Sequence, residues 1–312
     1  MVNIKSSTSV FCYMQSLIVH KMNMKCYGTA KTYVSAMCNF QKFRKGADIC
    51  FDAMDCELMQ QYETWMLHSG LKRNSASCYL RTLRTMYRRA LEDGIATDAD
   101  IFRKVHISIG KTCRRAISAK DIWTIRNLNL SHLPSLEFAR NIFMFSFYTR
   151  GMSFIDIAHL KKSDLRNGLL TYNRRKTFQS LTILWEPPMQ AIVDIYADET
   201  RNTPYIFPII KGDTYADRIR CGQALQRVNR SLQRIGRMAG LSIPLSTYVA
   251  RHSWASIARN TDMPLAVISE GLGHDSDRTT QVYLASLDTS AVNKANKKII
   301  EMITTADGVN TL

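Results

Sequence analysis

The sequence predicts a mostly α protein of two domains, broken by one small β-hairpin. Three observations lead there. Apolar residues recur at three- and four-residue spacing through most of the chain; the period shortens to two only around residues 169–185; and a basic stretch with no apolar period, 106–117, parts the helical run before it from the one after it. The expected partition is an N-terminal helical domain over 1–105, a basic linker over 106–117, and an α-rich second domain with the hairpin over 118–312. At 312 residues the chain is long enough to give each domain its own core.

The first hundred residues read as helices. "GTAKTYVSAMCNFQKF" sets Ala30, Tyr33, Val34, Met37 and Phe40 on one face, and "CELMQQYETWMLHSG" does the same with Leu58, Tyr62, Trp65 and Met66 before stopping at Gly70. "NSASCYLRTLRTMYRRALEDG" is the cleanest, with Asn74 as expected N-cap, Gly94 just past the end, and Ala76, Tyr79, Leu80, Leu83, Ala90 and Leu91 in its stripe. Away from that stripe stand Arg81, Arg84 and Arg88, preceded by Lys72 and Arg73; guanidiniums at those spacings align along one side and suit a row of phosphates. The plain alternative is a solvated charged face. The linker adds Arg114 and Arg115, basic enough to lie along a phosphate backbone.

In the second domain Ser118 and Asp121 have capping-box spacing. "SLEFARNIFMFSFYTRG" reads as a strongly apolar helix running to Gly151, and "SFIDIAHL" as a short one. In "LLTYNRRKTFQSLTILWE" Leu170 and Tyr172 alternate, then Leu181, Ile183 and Trp185, with a polar turn between; this is the hairpin, with Lys176 near its tip. Helices resume through "GQALQRVNRSLQRIGRMAG", "ARHSWASIARN" and "DMPLAVISEGLG", the last with Asp262 as expected cap and Pro264 in the first turn. An amphipathic segment, "DTSAVNKANKKIIEMI", comes near the end.

The charge balance narrows the partners. Forty-two Lys and Arg against 26 Asp and Glu give +16 at pH 7, and such a chain is drawn to a polyanion, nucleic acid or an anionic membrane surface. No apolar run reaches the ~20 residues a spanning helix needs, and no signal-peptide pattern opens the chain, so a cytoplasmic protein is expected. The eight cysteines never form C-x-x-C, and reduced, mostly buried thiols are expected, with no metal site.

Three polar motifs then stand out: "YVARHSWA" with Arg251, "GLGH" with His274, and "TTQVY" ending on Tyr283, nine positions beyond that histidine. In this order, with an intervening hairpin lysine, they resemble the tyrosine recombinase (phage integrase) family over about 115–290, and the helical segment from about 10 to 105 resembles the family's SAM-like core-DNA-binding domain. The resemblance implies Tyr283 as nucleophile, Arg251 as a phosphate clamp, His274 bonding the phosphate or tuning the tyrosine, and Lys176 as general acid, with Arg175 as the alternate in "NRRKT". It implies no cofactor and no metal. The residue types suit the chemistry: arginine forks hold the non-bridging oxygens of a phosphodiester, and a phenol stores the broken bond as phosphotyrosine.

The sequence departs from the family at two places. The family's His-x-x-Arg has Tyr248 for its histidine, and a partial role is expected for that phenol. Laying "TRGMSFIDIAHL" against the family's T-G-L-R-x-x-E/D-L puts Ser153 where arginine belongs and Asp156 at the acid. Arg150, three residues earlier, is the candidate replacement if helix geometry continues through Gly151; a helix-end cation is its alternative reading.

The resemblance implies a site-specific recombinase, invertase or integrase/excisionase in type, working on double-stranded DNA as a homo-tetramer on two sites, at the nucleoid. The helix near 292–303 would dock on a neighbouring protomer. Whether an accessory DNA-bending protein takes part stays open. The competing readings are a type IB topoisomerase and a catalytically retired DNA-binding protein. Little chain precedes the first helical domain, so no further arm-binding domain is expected ahead of it.

Overall fold

The computed structural model describes residues 8–97, 99–108, 110 and 116–274. The chain forms two compact units, Met1–Lys111 and Thr112–Leu312, whose boundary falls inside the stretch read as linker. The ends of that stretch belong to the units: Ser77 Oγ donates to Ser108 O (2.8 Å), and Ile117 N donates to the buried Ser253 Oγ (3.0 Å). Arg114 and Arg115 lie outside the described residues.

Among the described residues the first unit packs four α-helices: α1 (Val10–Asn23), α2 (Tyr27–Phe43), α3 (Cys56–His68) and α4 (Arg73–Glu92). Ser9 and Asp55 cap α1 and α3 by accepting from Cys12 N and Leu58 N. The core gathers aromatic rings edge to face, with Phe40 and Tyr62 at 5.0 Å between centroids. On α2 Ala36 takes the core position expected of Val34, which is exposed. Asn74 does not cap α4. Lys72 stands at that end, and Asn74 instead closes a two-bond clasp on Gly110, accepting from its N–H (2.8 Å) and donating to its carbonyl (3.2 Å). Buried Ser77 and Thr82 widen the packed face of α4 beyond its apolar stripe, so Arg81 and Arg84 stand half-buried at its edge while Lys72, Arg73 and Arg88 are exposed.

The second unit is built around α6 (Pro134–Tyr148), whose fully buried Ile142, Phe143 and Phe145 are its centre. Against α6 pack α5 (Ala119–Arg126), α7 (Phe154–His159), α8 (Pro187–Asp194), α10 (Tyr215–Met238) and α11 (Thr247–Asn260); the short α9 (Ala197–Thr200) follows α8, and α12 (Leu265–Leu272) is laid against α11. Ser118 and Asp121 do form the capping box of α5. A three-stranded antiparallel sheet runs β1 (Leu165–Arg166), β2 (Leu169–Asn173) and β3 (Ser180–Leu184) in that order. Leu170 faces Ile183 and Tyr172 faces Leu181 in register, which turns Leu170, Tyr172 and Ile183 into the core. The strand β1 goes beyond the two-stranded expectation, and it joins β2 through Asn167 and Gly168, both left-handed at φ 51° and 72°.

Two further expectations are corrected. Asp262 adopts the left-handed φ of 59° and does not cap the helix; Pro264, whose φ of −55° is helical but whose ψ of 142° is extended, holds the N-cap of α12. Of the described cysteines only Cys221 is buried, and burial pushes its thiol up to about 11; Cys12, Cys26, Cys38 and Cys50 lie on solvent-facing positions. Among the described residues no helix is long and apolar enough to cross a membrane.

Candidate active site

The apolar helix α6 stops at Tyr148, not at Gly151, and Thr149 Oγ1 turns back to donate to Phe145 O (2.7 Å). Arg150 and Gly151 follow in two consecutive left-handed conformations, φ 58° and 77°. The pairing makes sense only with α11 in view. A Cβ on Gly151 would stand 2.6 Å from Cα, Cβ and Cγ of Arg251, so no side chain fits there. The helix therefore does not continue through Gly151, and Arg150 is aimed by the left-handed reversal instead.

Arg251 is 5% exposed, and its guanidinium is held from two sides. Nη1 donates to Gly151 O (3.1 Å), and Nη2 donates to Leu272 O (2.6 Å) and lies 3.1 Å from His274 Nε2. Arginine is always protonated and has no acceptor, so Nε2 accepts, which puts the proton of neutral His274 on Nδ1. His274 reaches this place because Gly273 ends α12 at φ 62° and His274 N donates to Ser269 O (3.0 Å). Gly271 on the same helix lets two side chains close in: a Cβ there would meet Trp254 at 2.8 Å and Arg150 Cδ at 3.6 Å. Arg150 thus runs along α12 beside the clamp. Its guanidinium makes no hydrogen bond or ion pair among the described residues.

Ser153, at the position of the family's arginine, is the N-cap of α7; its hydroxyl donates to Asp156 Oδ2 (2.6 Å). Asp156 is buried, and its other oxygen accepts from Arg175 N (2.8 Å) on the hairpin turn. The turn between β2 and β3 is thereby pinned to α7. It is also pinned to α12, because Arg174 Nη1 donates to Gly273 O and a Cβ on Gly273 would come within 3.1 Å of Arg174 Cδ. Arg175 points elsewhere: its Nη2 donates to Asp213 (2.9 Å). Burial works to raise the Asp213 carboxyl, but Arg175 holds it below the usual carboxylate range. Lys176 is exposed at the tip and makes no hydrogen bond or ion pair among the described residues.

Electrostatics mark the same place. The Tyr172 hydroxyl is pushed far above its ordinary pKa by burial and then by Asp156, while Arg251, Arg174 and Arg150 all pull it back down. All three guanidiniums thus act on one phenol, beside the buried Asp156 carboxylate.

Arg150, Arg251 and His274 therefore come together, and the hairpin that carries Lys176 is fastened to them. Tyr248 is not part of their bonds. It is 54% exposed and meets the His252 ring edge-on at 4.7 Å. Tyr283 and the segment near 292–303 lie outside the described residues. Arg174 Nη1 and the Gly273 carbonyl form a contact that no motif spacing marks. The signal available for them was the basic run "NRR" and the glycine before His274, and only the fold brings the two together.

Comparison with known proteins bears on the whole chain. Residues 9–107 match the phage integrase SAM-like domain, and residues 129–290, more than half the chain, match the phage integrase family. Tyrosine recombinase XerD of Pseudomonas aeruginosa is 20% identical over 264 residues, covering 82% of this chain and 85% of the relative. Among solved structures, a lambda integrase tetramer bound to a Holliday junction superposes with a TM-score of 0.64 at 17% identity, covering 90% of this chain and 79% of that one. The Tn1549 transposon integrase in complex with transposon right end DNA gives 0.68 at 12% identity, over 94% of this chain and all of that one. At such identities the structural likeness is one of fold, and the family is carried by the sequence match, which spans the clamp, the hairpin and Tyr283: the chain belongs to the phage integrase family and is a tyrosine recombinase.

Proposed function

We propose that the protein cleaves and rejoins double-stranded DNA at specific sites, with Tyr283 as nucleophile and Arg251, Arg150 and His274 as the phosphate clamp. The observation that carries this is the guanidinium of Arg251, fixed between the carbonyls of Gly151 and Leu272 and paired with His274. A donor held in place before the reaction spends nothing on reorientation as charge grows on the phosphate oxygens. Arg150 supplies the second cation, since Ser153 is committed to capping α7.

The chemistry balances without an energy source. The Tyr283 oxygen attacks phosphorus, the bond to the 5′ oxygen breaks, and the phenolic proton passes to water. Lys176 delivers a proton to the departing 5′ oxygen. The phosphodiester is kept as a 3′-phosphotyrosine, and the 5′ hydroxyl of another strand reverses the step. Of the two hairpin candidates Lys176 suits this role, because Arg175 is occupied by Asp213. Asp156 is a positioning residue, holding the turn that carries Lys176. Tyr248, exposed beside His252, is read as a contact to the DNA backbone.

On this reading four protomers act on two sites, the helix near 292–303 docks on a neighbour, and Lys72, Arg73, Arg81, Arg84, Arg88, Arg114 and Arg115 hold DNA along the first unit and the linker. The work is done in the cytoplasm, at the nucleoid. The test is to express wild type and Tyr283→Phe beside a plasmid carrying the DNA that flanks the protein's own gene, and to sequence all junctions. Inverted or excised junctions with wild type alone are expected. Relaxation of plasmids without new junctions would mean a topoisomerase, and tight binding without covalent adducts would mean a retired enzyme.

A further inference from the structure

We infer that Phe178 is a DNA contact whose ring presses on the base step beside the scissile phosphate and opens its stacking. The inference rests on the proposed function and adds to it a residue that acts on the duplex rather than on the phosphate.

Phe178 is 82% exposed, more than any other large hydrophobic side chain described; Trp123 follows at 64%. A lone exposed apolar residue is ordinary on a protein surface. This one also sits at φ 60°, a region bulky side chains avoid. Its neighbours invert the usual arrangement. Thr177 Oγ1 and Gln179 Oε1, on either side, are buried without a hydrogen-bond partner among the described residues. The turn therefore points polar atoms inward, unsatisfied, and its aromatic ring outward, the reverse of what water selects. Such a residue persists where the surroundings over-determine it, and such places cluster at sites of function.

The surroundings here are explicit. Phe178 N donates to Arg174 O (2.8 Å) and Arg174 N to Gln179 O (2.9 Å), which closes the turn. Arg174 fastens it to Gly273, next to His274, and Asp156 holds it at Arg175 N. The tip is thus fixed relative to the clamp, and a phosphate held by Arg251 and His274 has this turn beside the adjoining nucleotides. Lys176 lies two residues from Phe178, at most roughly 7 Å along the backbone. A partner that offers a phosphate to the one and an apolar face to the other is a nucleic acid. Apolar wedges that enter a base step partly unstack it and kink the duplex.

The test uses the full chain and a nicked duplex carrying the crossover site found by junction sequencing, in two forms, one fully paired and one mismatched at the step flanking the scissile phosphate. On paired DNA, Phe178→Ala is expected to form the covalent adduct about 10–100-fold more slowly than wild type. On mismatched DNA, already open, it is expected to match wild type, and Phe178→Trp is expected to work on both. A 2-aminopurine at that step should brighten with wild type and stay dark with Phe178→Ala. The side chain is solvent-exposed, so its removal leaves the core intact, which thermal unfolding checks. Equal rates on paired DNA would overturn the inference, as would a slow Phe178→Ala that the mismatch fails to rescue, which would assign the ring to the shape of the turn. Normal cleavage with lost pairing of two duplexes would make it a contact between protomers instead. No adduct with wild type on either duplex would sink the recombinase reading itself, and this inference with it.

Discussion

The molecule has two sets of arginines, and they are built in opposite ways. Around α12 in the second unit, Arg251 is buried and bonded to two backbone carbonyls, Arg174 is bonded to a third, and Arg150 runs alongside them. On α4 in the first unit, Arg81 and Arg84 are half-buried and Arg88 is exposed; Arg81 Nε reaches only back to its own helix at Ser77 O (3.3 Å). In the first set Arg251 is desolvated, and both it and the half-buried Arg174 are aimed by backbone carbonyls before any ligand arrives; the second, bonded to no other element among the described residues, carries its heads toward solvent. Preorganised charge in a dry site works on a transition state, whereas solvated charge works on affinity and is screened by salt. On the proposed function one residue type thus serves two ends, and the surroundings decide which.

The sharpest break of this contrast is at the clamp. Arg251→Ala and Arg150→Ala are each expected to slow covalent-adduct formation about a thousandfold or more, on the scale of arginines that stabilise phosphoryl transfer. Ser153→Ala should be mild, costing the cap of α7 and some precision in Asp156. Adduct formation on nicked duplex reads all three. A dead Ser153→Ala beside an active Arg150→Ala would remove Arg150 from the clamp and return it to a plain helix-end cation.

Gly151→Ala attacks the same clamp through the backbone. The new methyl would meet the Arg251 backbone at 2.6 Å in a left-handed conformation. Strain and overpacking together should cost the second unit about 2–5 kcal/mol. Thermal unfolding measures it. A Gly151→Ala protein as stable as wild type would show that α6 and α11 can separate there, and the clamp would lose its claim to rigidity.

Arg174→Ala comes next, because it loosens the hairpin from Gly273 without removing a group that touches phosphate. A displacement of about 1 Å in a reacting group can cost about a hundredfold, so a 10–100-fold loss in adduct rate is expected. If Arg174 works through His274, the same substitution in a His274→Ala background should cost no more than about a further twofold. Losses that multiply in full would separate the two residues.

How far the sequence foretold these regions follows from the distance over which each feature is determined. The stripes of α3 and α4, the capping box of Ser118 with Asp121 and the alternation of β2 and β3 are set within a few residues, and they are legible as periods and spacings. Strand β1 was within reach too, since Asn167–Gly168 is a hairpin turn signal, yet β1 is only two residues long and shows no alternation of its own. The end of α6 could not be read, because the room at Gly151 is set by Arg251, a hundred positions away. Arg174 on Gly273 and Asp156 on the Arg175 backbone are contacts of the same long-range kind. Motif spacing located Arg251 and His274; which backbone carbonyls would hold them is a property of the packing.

The smallest expected effects lie on α4, and they sharpen the comparison by their form. Each arginine that neutralises a phosphate releases a counterion, so removing it lowers the slope of log affinity against log salt by about one and weakens binding alike on all sequences. Arg88→Ala, exposed, should give that full change and leave folding as it was. Arg81→Ala should give less of it and a lower unfolding temperature, because part of its side chain packs against the helix and its Nε bonds Ser77 O. Fluorescence anisotropy with a labelled duplex across a salt series reads the slope, and a single-turnover adduct rate at saturating protein reads the chemistry. In both variants that rate should stay near wild type while the slope falls. A lost rate with an unchanged slope would place α4 among the groups that shape the reaction, and the division between aimed and solvated arginines would no longer hold.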